Sequence, residues 1–272
     1  VKFTKLVATG NDFIFIDARD ATVVGELNLP RPEIARKVCD RHFGVGADGM
    51  VFVETHSAQD GSGYRWDFYN SDGSTAEMCG NATRCMGRWA SHVLGVSEIR
   101  FKTQAGWVVA KTEGGVVSSE LSFIQAILSP LTYRSAGVDK VAQLVNTGVP
   151  HAVIEIEDIS LAKRCLEDVR ALRFHVGTGT RGANVTFLQT LGANEFSTIT
   201  FERGVEDFTI SCGTGVLAAA AVGLARAGGN RARVRTPGGQ LEVQYGENLK
   251  GVILKGSATL ICDGELSKEV LG

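Results

Sequence analysis

Two four-residue segments, Met78-Cys79-Gly80-Asn81 and Ser211-Cys212-Gly213-Thr214, each lead into an apolar stretch with helical spacing. The stretches are Ala82–Leu94 in one half of the chain and Val216–Ala227 in the other. Nine positions before each cysteine stands a polar residue, Asn70 (79 − 70) or Arg203 (212 − 203). Each follows a strand-like aromatic run, Trp66-Asp67-Phe68-Tyr69 or Phe196–Phe201. The cysteines are 133 residues apart (212 − 79), close to half of 272. The pattern reads as an old duplication, with two like domains each contributing one cysteine at a helix start. Gly10-Asn11-Asp12-Phe13 and Ala183-Asn184-Val185-Thr186 also look alike, but their offset of 173 (184 − 11) is out of register.

Short alternating runs bounded by Gly, Asn, Asp and Pro predict strands at Asp12–Asp17, Gly49–Glu54, Tyr64–Tyr69, Trp107–Lys111, Ala152–Ile156 and Asn184–Leu188. Their alternation suits antiparallel sheets with one face buried. Besides the two post-cysteine stretches, helical spacing appears at Arg31–Phe43, near Ile159–Leu172 and near Val138–Leu144. The expected class is α+β rather than a succession of βαβ units.

Composition narrows the partners. A formal net charge of −2 supplies no footprint for nucleic acid or for an anionic membrane. The longest apolar run, Val216 to Ala225, falls well short of the roughly 20 residues that span a bilayer. The opening residues VKFTKLVATGNDF carry no long apolar stretch or small-residue cleavage site, so a cytoplasmic location is expected. There the six cysteines are expected to be reduced. No Cys-x-x-Cys and no His-x-x-x-His occurs, so no metal site is expected. Cys39, Cys165 and Cys262 are expected to be buried, inert, small apolar residues. Gly44-x-Gly46-x-x-Gly49 matches a dinucleotide fingerprint by letter, but a helix precedes it and a strand follows, the reverse of what that motif needs. Gly177-Thr178-Gly179-Thr180-Arg181-Gly182 lacks the lysine of a phosphate loop and reads as a turn near Asn184.

Cys79 and Cys212 are different in kind. Glycine after each cysteine permits close backbone approach, and Asn81 or Thr214 is a residue type favoured at helix caps. The unpaired N–H groups and the positive end of the helix dipole make such a start a site for a carboxylate. The same field favours thiolate over thiol, drawing a cysteine pKa down from about 8.5. Two such helix starts around one carboxylate would suit proton exchange at the carbon beside it, one thiolate removing the proton and the other thiol returning one. Cys85, six residues beyond Cys79, lies about 600° around a helix and so on another flank, which argues against a redox pair.

In order along the chain, Thr9-Gly10-Asn11-Asp12-Phe13, Gly44-Val45-Gly46-Ala47-Asp48-Gly49, Asn70-Ser71-Asp72-Gly73-Ser74, Met78-Cys79-Gly80-Asn81, Pro150-His151-Ala152-Val153, Glu202-Arg203-Gly204-Val205 and Cys212-Gly213-Thr214-Gly215 together resemble diaminopimelate epimerase, of the pyridoxal-phosphate-independent racemase superfamily. The resemblance implies two pseudo-symmetric domains, 1–116 with 257–272 and 117–256, each a mostly antiparallel sheet around a central helix, with the active site in the cleft between them. It implies an isomerase interconverting LL- and meso-2,6-diaminopimelate for lysine and peptidoglycan precursors, with no cofactor, as a cytoplasmic homodimer. Cys79 and Cys212 would be the catalytic pair, Cys79 the donor in the usual description. His151 and Glu202 match positions that tune the thiols. Gly80, Asn81, Gly213 and Thr214 would hold the carboxylate at the reacting centre. Asn11, Asn70, Asn184, Glu202 and Arg203 match positions that recognise the rest of a diamino-dicarboxylate. Arg203 suits its distal carboxylate through a planar fork.

Three departures bear on recognition. Ala82-Thr83 follows Asn81 where Gly-Ala is frequent, and Val149 precedes Pro150 where Asn is common. The segment from Glu202 to Cys212 is one residue longer than usual. The rival readings are a racemase of another amino acid, a thiol hydrolase using Cys212 with His151, and a non-catalytic amino-acid binding module. A hydrolase would need one essential thiol and an acyl-enzyme, whereas an epimerase needs two thiols and none.

Overall fold

Alternating burial makes strand the commonest element of the chain in the computed structural model, which describes residues 1–25, 27–56 and 63–271. The chain divides into two units, Val1–Ser119 with Gly256–Gly272, and Glu120–Lys255.

The first unit runs β1 (Lys2–Ala8), β2 (Asn11–Asp17), α1 (Ala21–Gly25), α2 (Arg31–Cys39), β3 (Gly49–Thr55), β4 (Tyr64–Asn70), α3 (Gly80–Trp89), β5 (Glu98–Lys102) and β6 (Trp107–Glu113). β7 (Val116–Gln125) then carries the chain onward. β1 and β2 are antiparallel, β2 and β3 parallel, and β3 and β4 antiparallel. β4 and β5 are parallel, and β5 and β6 antiparallel. Each parallel pair requires a crossover, supplied by α2 and by α3. α3 packs on β1, β2 and β6, and its residues from Gly80 to Gly87 are all buried. Gly87 is required there, because a Cβ would stand 2.7 Å from Val117 Cγ1 and 3.0 Å from Ala110 Cβ. Beyond Trp89 one π turn, Ala90–Leu94, ends at Gly95 with φ of 70°.

The second unit contains β8 (Ile127–Ser135), β9 (Val138–Asn146), β10 (Pro150–Glu155), α4 (Leu166–Arg173), β11 (Asn184–Gly192), β12 (Glu195–Glu202), β13 (Asp207–Thr209), α5 (Gly213–Ala227), β14 (Arg231–Thr236) and β15 (Gly239–Tyr245). β16 (Lys250–Ser257) leads back to β17 (Thr259–Glu265), antiparallel to β1, and to α6 (Lys268–Leu271). The pairing scheme of the first unit recurs. β9 and β10 are antiparallel, β10 and β11 parallel, and β11 and β12 antiparallel. β12 and β14 are parallel, and β14 and β15 antiparallel. α5 packs on β9, β10, β11, β12, β14 and β15, and is apolar all round, as a helix enclosed by sheet must be. Gly223 lies against the Phe196 ring, where any Cβ would collide. The class is α+β, with a mixed sheet and a central helix in each unit.

The structure corrects two expectations and gives detail to two others. Val138–Leu144 is strand, not helix: Ala136 and Gly137, with φ of 51° and 77°, form a two-residue hairpin turn that pairs β9 with β8 from Val138 back to Ser135. The helix from Arg31 stops at Cys39 rather than Phe43, where Asp40 turns extended and its carboxylate accepts from the His42 and Phe43 N–H groups. The stretch near Ile159–Leu172 is helical as expected, a 3₁₀ segment, Ile159–Arg164, followed by α4. Parallel pairs accompany the antiparallel ones in both units, and the antiparallel pairs are the more numerous, as expected of a mostly antiparallel sheet. The repeat itself clarifies one near-match. His151 pairs with Asn184 as Phe13 pairs with Gly49, so the counterpart of Asn184 is Gly49, at an offset of 135 (184 − 49), and not Asn11.

Candidate active site

Cys79 and Cys212 occupy the same local structure. Each is the extended residue just before a helix, with φ and ψ of −136° and 116° for Cys79 and −109° and 109° for Cys212. The helical ladders begin with Thr83 N–H donating to Cys79 O and Val216 N–H donating to Cys212 O. The N–H groups of residues 80–82 and 213–215 therefore stand outside the ladders, at the positive ends of the dipoles. The cap position belongs to the cysteine, not to Asn81 or Thr214, each of which sits one residue inside the helix after the glycine. Cys79 is half-buried and Cys212 is buried.

In the first unit the asparagine turns inward. Asn81 Oδ1 accepts from Thr9 Oγ1 at 3.2 Å and from Arg84 Nη2 at 2.7 Å. Arg84 also donates to Thr9 Oγ1 at 2.9 Å and to Gly80 O at 3.1 Å, and is fully buried. Among the described residues no carboxylate pairs with it. Burial lowers its pKa to about 10, so it remains a cation at neutral pH beneath the start of α3. Thr9 is held at φ of 49°, in the turn that delivers Asn11 to the head of β2. Asn11 Oδ1 is buried with no hydrogen-bond partner among the described residues. Such an acceptor is suited to a donor from a ligand. Asn70 ends β4 and its Nδ2 donates to Ser74 Oγ at 3.0 Å.

In the second unit the predicted residues converge on His151. Its Nδ1 lies 2.9 Å from Thr186 Oγ1, and its Nε2 lies 2.9 Å from Thr214 Oγ1 and 3.2 Å from Asn184 Nδ2. Thr214 Oγ1 is 3.5 Å from Cys212 Sγ. Asn184 Oδ1 accepts from the Arg203 backbone N–H at 2.7 Å. His151 is fully buried, and burial, helped by the Arg203 charge, lowers its pKa to about 3, leaving a neutral imidazole. Glu202 ends β12 and accepts a hydrogen bond from Thr209 Oγ1 across the β12–β13 pair. Arg203 Nη1 donates to Gly182 O at 3.1 Å. Burial, then Arg181 and Arg173, lower the Arg203 pKa: positive charge gathers here and is suited to an incoming carboxylate.

The remaining thiols differ from this pair. Burial raises the Cys39 pKa to about 12 and raises Cys85 strongly, so neither ionises at neutral pH. Burial also raises Cys165, which is only half-buried, and Cys262 is exposed on β17, against the expectation that both would be enclosed. The Gly44–Gly49 segment follows α2 and leads into β3, helix before strand. Sequence reasoning missed Arg84, Thr9, Thr186 and Thr200. The one available signal was that Arg84, unlike Arg88 in the last turn, falls among small and apolar residues of α3.

The family model described as diaminopimelate epimerase matches residues 3–118 and 143–261. A diaminopimelate epimerase from Aquifex aeolicus is 37% identical over 283 residues, covering 100% of this chain and 99% of that relative. One from Methanocella arvoryzae is 35% identical, covering 98% of this chain and 96% of the relative. Among solved structures, a phenazine biosynthesis protein of the PhzF family from Enterococcus faecalis superposes with a TM-score of 0.71 at 14% identity, covering 98% of each chain. A probable proline racemase from Agrobacterium radiobacter K84 gives 0.69 at 15%, covering 98% of this chain and 92% of that one. At such identities these two speak to the fold alone.

Proposed function

This chain belongs to the diaminopimelate epimerase family and is an isomerase, and on that premise we propose that Cys79 and Cys212 interconvert LL- and meso-2,6-diaminopimelate by passing a proton through the α-carbon. The observation that carries this reading is the twinned setting of the two thiols, each the residue before a helix whose first N–H groups lie outside the ladder. The substrate's α-carboxylate takes hydrogen bonds from the backbone at Gly80-Asn81 and Gly213-Thr214. One thiolate withdraws the α-proton while the other thiol protonates the opposite face, and the reverse reaction exchanges the roles. The negative charge that develops beside the carboxylate is stabilised by the same helix ends.

Arg203 holds the distal carboxylate, with Asn70 and Asn184 beside it, and Glu202 and Asn11 Oδ1 accept from the ammonium groups. Val149 offers no polar group where the family commonly has asparagine, and the cationic setting of Arg203 supports recognition without it. His151 and Glu202 adjust the thiols. The reaction as proposed draws on no cofactor or metal. The protein works in the cytoplasm as a homodimer, a reading supported by the family resemblance. Among the described residues no helix is long and apolar enough to cross a membrane. The test is epimerisation of LL-2,6-diaminopimelate by reduced protein with no added cofactor.

A further inference from the structure

The hydrogen bonds around His151 have a direction that can be traced from one fixed donor. A backbone N–H only donates, so the Arg203 N–H assigns the Asn184 atom 2.7 Å away as the carbonyl oxygen. The other end of that amide, 3.2 Å from His151 Nε2, is then the NH₂ group, and Nε2 must accept. The neutral ring carries its single proton on Nδ1, which donates to Thr186 Oγ1 at 2.9 Å. Thr186 in turn reaches Thr200 Oγ1 at 3.1 Å. With Nε2 accepting, the 2.9 Å contact to Thr214 is a bond in which the threonine hydroxyl donates. Its only proton is thereby spent, and towards Cys212 Sγ at 3.5 Å Thr214 Oγ1 presents a lone pair.

We infer that in the unliganded protein Cys212 is held as the protonated member of the thiol pair, by a hydrogen-bond polarity running from the Arg203 N–H through Asn184, His151 and Thr214. The inference rests on the two-thiol reading above and deepens it. A thiolate at Cys212 would face an oxygen lone pair, or would draw the Thr214 proton away from His151. The neutral state of His151, enforced by full burial and by the Arg203 guanidinium, keeps it from supplying a second ring N–H. Thr214 is thus a positioning residue: its backbone serves the carboxylate, and its side chain sets the proton on the neighbouring sulfur. The stereoisomer that needs a thiol at Cys212 meets a ready site, whereas the other must wait for Thr214 to reorient.

Two measurements on substrate-free protein test this. Nitrogen-15 NMR of the His151 ring should show Nδ1 protonated and Nε2 bare; an Nε2–H tautomer would overturn the inference. In protein with carbon-13 at cysteine Cβ, the Cys212 resonance, assigned with Cys212→Ser, gives the thiol titration. Removing an acceptor from the thiol favours the thiolate, so Thr214→Val should lower the Cys212 midpoint by about half to one pH unit. Thr214→Ser should leave it in place. A midpoint that rises or stays unchanged in Thr214→Val would contradict the assignment, and if that variant does not fold, the wild-type tautomer decides alone. Neither readout needs turnover, so failure of the epimerase reading would appear separately, as absent epimerisation beside an intact titration.

Discussion

Arg84 Nη2 lies 2.7 Å from Asn81 Oδ1 and 2.9 Å from Thr9 Oγ1, so one buried guanidinium ties the start of α3 to the turn that precedes Asn11. That turn includes a threonine at positive φ, a conformation costly without glycine and sustained only by its surroundings. Arg84→Ala would leave a cavity and loosen both segments together. The expected loss of unfolding free energy is about 3 kcal/mol, read from urea denaturation. A loss below about 1 kcal/mol would mean that the clamp carries little.

His151 makes stability depend on pH. Its folded-state pKa of about 3 lies below the ordinary value of 6.5, so between these values the unfolded chain binds the extra proton. The stabilising contribution is present above about pH 6.5 and is lost as pH falls towards 3. Across that window wild-type stability should drop by about 1.4 kcal/mol per pH unit more than that of His151→Gln, which has no ring to protonate. Parallel stability curves for the two proteins would place the titration elsewhere.

Cys79→Ser and Cys212→Ser should each lose at least about 100-fold in kcat, since each removes one partner of a proton exchange. Their circular dichroism should match wild type, because serine is close in size and neither thiol caps its own helix. Near-normal turnover by either variant would remove the two-thiol mechanism.

Arg203→Lys keeps a charge but not the planar fork, so it should raise KM for diaminopimelate about tenfold with a smaller change in kcat. The cationic neighbours Arg181 and Arg173 remain, which is why binding should weaken and not vanish. An unchanged KM would move the distal carboxylate away from Arg203.

The parts of this structure legible in the sequence are those in which local pattern and tertiary burial agree. α3 and α5 are announced by apolar spacing after Cys-Gly, and β2, β3, β4 and β11 by alternation between turn residues. β9 was not legible, because Val138, Val141, Ala142 and Val145 fall at helical intervals; the Ala136-Gly137 turn decides the outcome and lacks the Asn-Gly or Asp-Gly signature of such hairpins. The convergence of His151, Asn184, Arg203 and Thr214 could be named residue by residue from the resemblance, but not its order or polarity. Thr186 and Thr200 escaped for a physical reason: an inward threonine on a strand looks like any β-branched filler until a histidine is found above it. Arg84 escaped because an arginine in a helix ordinarily reaches solvent, and only the packed sheet shows that it does not.

The central claim is a cofactor-independent proton exchange at the α-carbon of one substrate. Proton NMR of LL-2,6-diaminopimelate incubated with reduced protein in D₂O, with nothing else added, tests it most directly. The account predicts the meso isomer with deuterium at one α-carbon, formed by wild type and by neither serine variant. An α-proton that persists in fully reduced wild-type protein, with no meso isomer formed, would contradict it.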